Sequence, residues 1–219
     1  MTILTDLSDV LIQGVKQTAS AIADDFGSYA GVECYRRLHA TYDPYFLDLL
    51  RGKLTEDEYC EIFFSDGEEW PFTAEDIKQT FSEGFKIKVP HTLGVYKSII
   101  GHPLRLDEQL YTVPGSPDIY IVSDHIMERL EEIKSYHPDI FGIMKGEIWS
   151  CEVGKIKQDK GFFPELLKEL KLDPAEVVFV DDNEINTCAA TEAGITSILF
   201  KNATQLKHDL IELGFWFDS

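Results

Sequence analysis

Three short apolar runs in this sequence each end in residues able to do chemistry. Thr2–Thr5 leads to Asp6, Ile119–Val122 to Ser123, and Val177–Val180 to the acidic pair Asp181-Asp182; Lys157 lies between the second and third runs. Carboxylate oxygens are the groups Mg²⁺ prefers, taken through one or two protein ligands while the ion keeps water and substrate phosphate. A hydroxyl and an ammonium beside them supply the hydrogen-bonding, cationic side of a phosphate site. If they converge, these residues form a place where a metal and a phosphate group meet.

Convergence requires that the runs be strands of one parallel sheet, because ligands in open α/β sheets bind at the carboxyl ends of the strands. The runs are short and β-branched. Thr196–Phe200 adds another and Ile148–Cys151 a weaker one, with helical patterns between them, which is the signature of a buried parallel sheet. After Ser123, Met127, Leu130 and Ile133 fall on one helical face. Asn183 stands before a helix that Gly194 can end, and Gly214 follows Leu206–Leu213, in agreement with helix start and stop chemistry. From Gln17 to Gly84 no strand-like run occurs, and Thr55-x-x-Glu58 and Thr73-x-x-Asp76 read as capping boxes. Between Lys97 and Asp118 the breakers Pro103, Pro114, Gly115 and Pro117 predict a loop. The expected architecture is α/β: a Rossmann-like parallel sheet with helices on both faces (1–16 and 85–219), plus a small all-helical cap domain (17–84).

The chain's 219 residues suffice for such a core and a small second unit. Lys plus Arg total 20 against 39 Asp plus Glu, a net charge of −19, which opposes nucleic acid and anionic membrane surfaces within the screening length of about 8–10 Å. A small anionic substrate therefore needs a local cationic cluster or a metal. No stretch approaches the ~20 apolar residues that span a bilayer. The first residues carry neither a basic region nor the apolar run of a signal peptide, and Cys34, Cys60, Cys151 and Cys188 are scattered without a C-x-x-C pair. Reduced thiols, a cytoplasmic location and a monomer or homodimer are the expectations.

The motifs resemble those of the haloacid dehalogenase (HAD) superfamily. Ile3-Leu4-Thr5-Asp6-Leu7-Ser8-Asp9-Val10-Leu11 is similar to its first motif, a strand followed by D-x-D-G-V-L. Ile121-Val122-Ser123-Asp124 is similar to the second, and Val153-Gly154-Lys155-Ile156-Lys157-Gln158-Asp159 to the third. Val178–Asn183 with Ala193-Gly194-Ile195 is similar to the fourth, and Leu50-Arg51-Gly52-Lys53-Leu54-Thr55 to a segment of its helical caps. The resemblance implies a Mg²⁺-dependent phosphoric monoester hydrolase acting on a small phosphorylated metabolite. Asp6 would be the nucleophile that forms an aspartyl-phosphate. Ser123 and Lys157 would hold the transferring phosphoryl group, with Asp124 and Arg51 as further substrate contacts. Asp6, the Ser8 carbonyl, Asp181 and Asp182 would hold Mg²⁺ directly or through water.

One departure falls on the residue most concerned with turnover. The third position of the first motif, normally an Asp that protonates the leaving group and later activates water, is Ser8. A hydroxyl is a poor acid and base near neutral pH, and losing such a group costs ~10²–10⁴-fold. Asp9 takes the position usual for Gly, where it would crowd the backbone near the metal, and its side chain should point differently from that of residue 8. Gln158 replaces the usual Pro. Slow turnover favouring acyl and aryl phosphates is expected. The alternative is a phosphate- or partner-binding member that lost turnover. A haloacid dehalogenase, which also lacks the second acid, is opposed by Asp181-Asp182. A receiver domain is opposed by the order of its acidic residues. Arg36, Arg37, His39 and Arg51 could read a substrate's anionic end but read first as a solvated charged face, and Trp70, Trp149 and Trp216 as core.

Overall fold

The computed structural model describes residues 1–38, 43–65, 67, 69–100, 104–106, 109–111 and 116–215. His39, Pro103, Pro114, Gly115 and Trp216 lie outside them.

The apolar runs form a five-stranded parallel sheet. Its strands are β1 (Thr2–Thr5), β4 (Asp118–Ser123), β5 (Gly146–Trp149), β6 (Val177–Asp181) and β7 (Thr196–Leu199), in the order β5-β4-β1-β6-β7. β1 is central, with Thr5 opposite Ile121 of β4 and Val180 of β6. Every residue of β1 and of β6 is buried, as expected of strands covered on both faces. Alternating side chains divide between two cores. Ile3, Ile121, Val178 and Val180 face one, and Leu4, Val122, Val177 and Phe179 the other.

Helices cover both faces. In chain order they are α1 (Val15–Phe26), α2 (Ser28–Arg37), α3 (Pro44–Leu50), α4 (Glu56–Phe63), α5 (Ala74–Phe85), α6 (Thr92–Ile100), α7 (Leu130–Tyr136), α8 (Pro138–Phe141), α9 (Ser150–Val153), α10 (Phe162–Leu170), α11 (Glu184–Glu192) and α12 (Ala203–Glu212). Side chains of α6, α7 and α12 join the first core, and those of α10 and α11 the second. Thr55 and Thr73 each close the predicted capping box. Asn183 caps α11, accepting from the Ile185 amide at 2.9 Å.

Three local readings change. Part of the predicted loop is ordered: α6 runs to Ile100, and β2 (Leu104–Leu106) pairs antiparallel with β3 (Gln109–Tyr111). β5 begins earlier than Ile148 and ends at Trp149, because Ser150 and Cys151 already belong to α9. Met127 lies in a 3₁₀ turn and is exposed, so only Leu130 and Ile133 of that face reach the core.

The stretch predicted as all-helical contains α1–α5. The chain enters and leaves it side by side: Gln13 N–H donates to the Ile87 carbonyl and Val89 N–H to that of Leu11, both at 2.8 Å. Its buried side chains, among them Phe46, Tyr59, Phe63 and Phe81, continue the first core without a break. Polar clasps add to this. Arg129 forks onto Glu56 at 2.9 and 2.7 Å, Ser82 bonds Glu132, and Ser150 Oγ donates to the Leu50 carbonyl at 2.6 Å. At Gly52, φ is +70° and a Cβ would lie 2.4 Å from the Cys151 carbonyl oxygen. Gly52→Ala therefore combines left-handed strain with overpacking, and a loss of about 2–4 kcal/mol in urea unfolding is expected. An unchanged midpoint would refute the close approach.

Candidate active site

The central strands deliver their terminal residues to one place. Asp6 follows β1, and its amide donates to the Val180 carbonyl at 2.8 Å. Ser123 and Asp181 are the last residues of β4 and β6. Lys157 arrives from the turn after α9, where Asp159 Oδ2 accepts from the Ile156 amide at 3.1 Å and the Lys157 amide donates to Asp124 Oδ1 at 3.1 Å.

Lys157 is 1% exposed, and its Nζ lies 2.8 Å from Asp6 Oδ2 and 2.6 Å from Asp181 Oδ2. Burial works against the ammonium, but the carboxylates of Asp181, Asp6 and Asp124 outweigh it and hold Lys157 charged. Burial pushes the Asp181 carboxyl above the usual carboxylate range, against the pull of Lys157; Asp6 and Asp182 add to the rise. Asp6, Asp181 and Asp182 each offer an oxygen, all within 4.8 Å of one another. Three clustered carboxylates against one ammonium leave an excess of negative charge on hard oxygen donors, and a small divalent cation fits that set. The Ser123 hydroxyl is buried and has no hydrogen-bond partner among the described residues. Such an orphan calls for an acceptor or donor that the protein does not supply, and a phosphoryl oxygen meets it.

A cavity of about 240 Å³ opens at this point. Asp6, Ser8, Asp9, Asp124, Lys157 and Asp182 line it together with Gln158, Asn183, Glu184 and Asn186; Leu38, Phe46 and Leu50 supply apolar wall from the helical stretch. Ser123 is not among the lining residues, although its neighbour Asp124 is. Ser8 does face the cavity, so the position where an acid is usual presents a hydroxyl. Asp9 adopts φ +60°, in the left-handed region that favours Gly. Its Oδ1 accepts from the Gly14 amide at 3.1 Å, the local bond by which Asp tolerates this conformation.

Arg51 takes a different place from the one expected. Its Nε and Nη2 donate to Asp159 at 2.8 and 2.6 Å, and Nη1 to Asp48 at 3.3 Å, and it does not line the cavity. Its guanidinium is thus spent on binding the helical stretch to the lysine-bearing turn. Arg36 and Arg37 pair with Glu33, and Arg37 also lies over the Phe63 and Trp70 rings. Asn186 is the site residue that sequence reading missed. Its Nδ2 donates to both Asp181 oxygens at 3.2 Å. The available signal was a polar residue three positions after a helix N-cap, on the side of α11 turned to the sheet. Cys34, Cys60 and Cys151 are buried, which pushes their thiols up to about 12, 11 and 11, and all four cysteines are free.

No family model matches the chain. Flavin mononucleotide hydrolase 1, chloroplastic, of Arabidopsis thaliana is 23% identical over 212 residues, which is 97% of this chain and 77% of that protein. A HAD family enzyme of Bacteroides thetaiotaomicron, solved as a mutant with magnesium and inorganic phosphate, superposes with a TM-score of 0.67 at 16% identity, covering 95% of this chain and 98% of that one. A dehalogenase solved as an intermediate complex superposes with a TM-score of 0.63 at 14% identity, over 90% and 82% of the two chains. No helix among the described residues is long and apolar enough to cross a membrane.

Proposed function

From the premise that this chain carries the fold of the haloacid dehalogenase superfamily, we propose that it is a Mg²⁺-dependent phosphatase. It transfers the phosphoryl group of a small phosphorylated metabolite to Asp6 and then to water. The observation that carries this reading is the Lys157 ammonium, buried between Asp6 and Asp181 with Asp182 in the same cluster. The Arabidopsis relative's name points to the same reaction class, a phosphomonoester of an alcohol. Residues 17–84 act as the cap that closes the cavity with Leu38, Phe46 and Leu50, and the cytoplasm is the location we assign.

Asp6 is the group placed to attack. Its Oδ1 accepts from the Leu7 amide at 2.7 Å and its Oδ2 contacts Lys157, which fixes the orientation of the carboxylate. A bond forms from Asp6 to phosphorus as the bond to the leaving oxygen breaks. Lys157 and the Ser123 hydroxyl take the equatorial phosphoryl oxygens, and Asn186 holds Asp181 in place. Asp6, Asp181, Asp182 and the Ser8 carbonyl would hold Mg²⁺, which would supply positive charge against the phosphoryl oxygens. Leu38, Phe46 and Leu50 keep water from one side of the reacting group.

Hydrolysis of p-nitrophenyl phosphate, whose leaving group departs without protonation, tests this reading. Activity with Mg²⁺ should vanish with chelator. Asp182→Asn should raise the Mg²⁺ concentration needed for half-activity by at least about tenfold. Activity that ignores chelator would overturn the metal assignment. Ser8 favours a second reading, a phosphate-binding protein without turnover. Tight phosphate binding with no release of p-nitrophenol would establish it in place of the first. Chloride release from a haloacid, insensitive to chelator, would instead identify a dehalogenase.

A further inference from the structure

We propose that Asp124 is the proton donor and acceptor that Ser8 cannot be. This inference rests on the phosphatase reading and deepens it. Four other carboxylates line the cavity, and each has a different place. Asp6 contacts Lys157 as the nucleophile, and Asp182 belongs to the metal cluster. Asp9 is turned to the Gly14 amide by its left-handed backbone. Glu184 opens α11 on the exposed rim. Asp124 directly follows the orphaned Ser123 hydroxyl and is half-buried in the wall. The Lys157 amide clasps its carboxylate at 3.1 Å to Oδ1 and 3.4 Å to Oδ2. One residue, Lys157, thus fixes the nucleophile through its side chain and Asp124 through its backbone.

The surroundings set when Asp124 holds a proton. Burial raises its carboxyl to about 6. Lys157 opposes the rise through its charge and its amide, while the Asp6 and Asp159 carboxylates add to it. A group of that kind carries a proton in part of the population near neutral pH and can also take one back.

The two half-reactions balance around it. As Asp6 bonds to phosphorus and the phosphorus–oxygen bond to the alcohol breaks, the Asp124 carboxyl gives its proton to the departing oxygen. The alcohol leaves and Asp124 is a carboxylate. Asp124 then takes a proton from a water whose oxygen attacks phosphorus, and the bond to Asp6 breaks. Phosphate leaves with Asp6 and Asp124 in their starting forms. The substrates are accordingly phosphomonoesters of ordinary alcohols, whose alkoxides leave only when protonated. The first step is fastest where Asp124 is protonated and should slow as pH rises above about 6.

Rapid-quench kinetics of Asp124→Asn, which keeps an acceptor for the Lys157 amide, tests the assignment with Mg²⁺ present. With phenethyl phosphate, first-turnover release of alcohol should fall by about 10²-fold or more. With p-nitrophenyl phosphate, whose leaving group needs no proton, the loss in the first-turnover burst should be at least about tenfold smaller, while labelled phosphoenzyme accumulates; circular dichroism reports whether the variant is folded. Adding Ser8→Asp should restore alcohol release. Equal losses on both substrates, or no loss on either, would overturn the assignment and leave the phosphatase reading standing. Wild-type protein that releases no p-nitrophenol would overturn both. Should the variant fail to fold, the wild-type pH profile decides. First-turnover alcohol release that follows the same pH profile as the p-nitrophenyl phosphate burst overturns the assignment, and release that falls with rising pH while that burst does not supports it.

Discussion

Asp6→Asn is expected to lower phosphatase turnover by roughly 10⁴-fold or more, because the amide cannot form the covalent bond through which both proposed half-reactions run. The substitution is mild in every other respect. Asn keeps an oxygen to accept from the Leu7 amide, as Asp6 Oδ1 does at 2.7 Å. It also removes one of the negative charges crowded around Asp181. The folded protein should therefore be as stable as the parent or slightly more so. Acid-quenched protein incubated with labelled substrate should carry phosphate in the wild type and none in the variant. Turnover within tenfold of wild type, or label retained on the variant, would remove Asp6 from the nucleophile's role.

Lys157→Met should have the largest effect on stability. The ammonium is the cation that Asp6 and Asp181 share, and all three side chains are almost wholly buried. Removing one partner of a buried ionic cluster costs about 3–5 kcal/mol, which corresponds to a fall in Tm of roughly 10 °C for a chain of this size. The pH dependence identifies the cause. Without Lys157, the burial and the Asp6 and Asp182 charges that already raise the Asp181 carboxyl above its unfolded value act unopposed. A group raised on folding stabilises fully below its unfolded pKa and loses that contribution as pH climbs through its folded pKa. The variant should therefore approach the wild type near pH 4 and fall furthest behind at pH 8. Mg²⁺ should recover part of the loss by supplying the missing positive charge. Equal Tm values at pH 8 in chelator would contradict the ion cluster.

The residues that converge at the candidate site were legible because their positions follow from a single rule. An apolar run long enough for a strand must end, and in a parallel sheet the ends share a crevice. Asp6, Ser123 and Asp181 could be read this way, and Lys157 through its motif. Thr55, Thr73 and Asn183 were legible because a cap is a local event of a few residues. Arg51 could not be read, since its partner Asp159 is distant in sequence and only the fold shows that the guanidinium is engaged. Asn186 gave no strong signal because a polar residue on a helix reads equally as solvated. The apolar walls Leu38, Phe46 and Leu50 resembled any core residues. The short β2–β3 pair lay among prolines and glycines, whose breaker signal outweighed two three-residue runs.

Arg51 and Asp159 tie the end of α3 to the turn that carries Lys157. Asp159 also accepts from the amide of Ile156, the residue before Lys157. Drawing α3 away from the sheet breaks this ion pair and the Ser150 bond to Leu50. The same motion strips Asp159 of the arginine that steadies it. On the proposed cap reading, letting a product escape and loosening the lysine's turn would share one barrier, so the site would be most tightly aligned during the interval when its contents are sealed in.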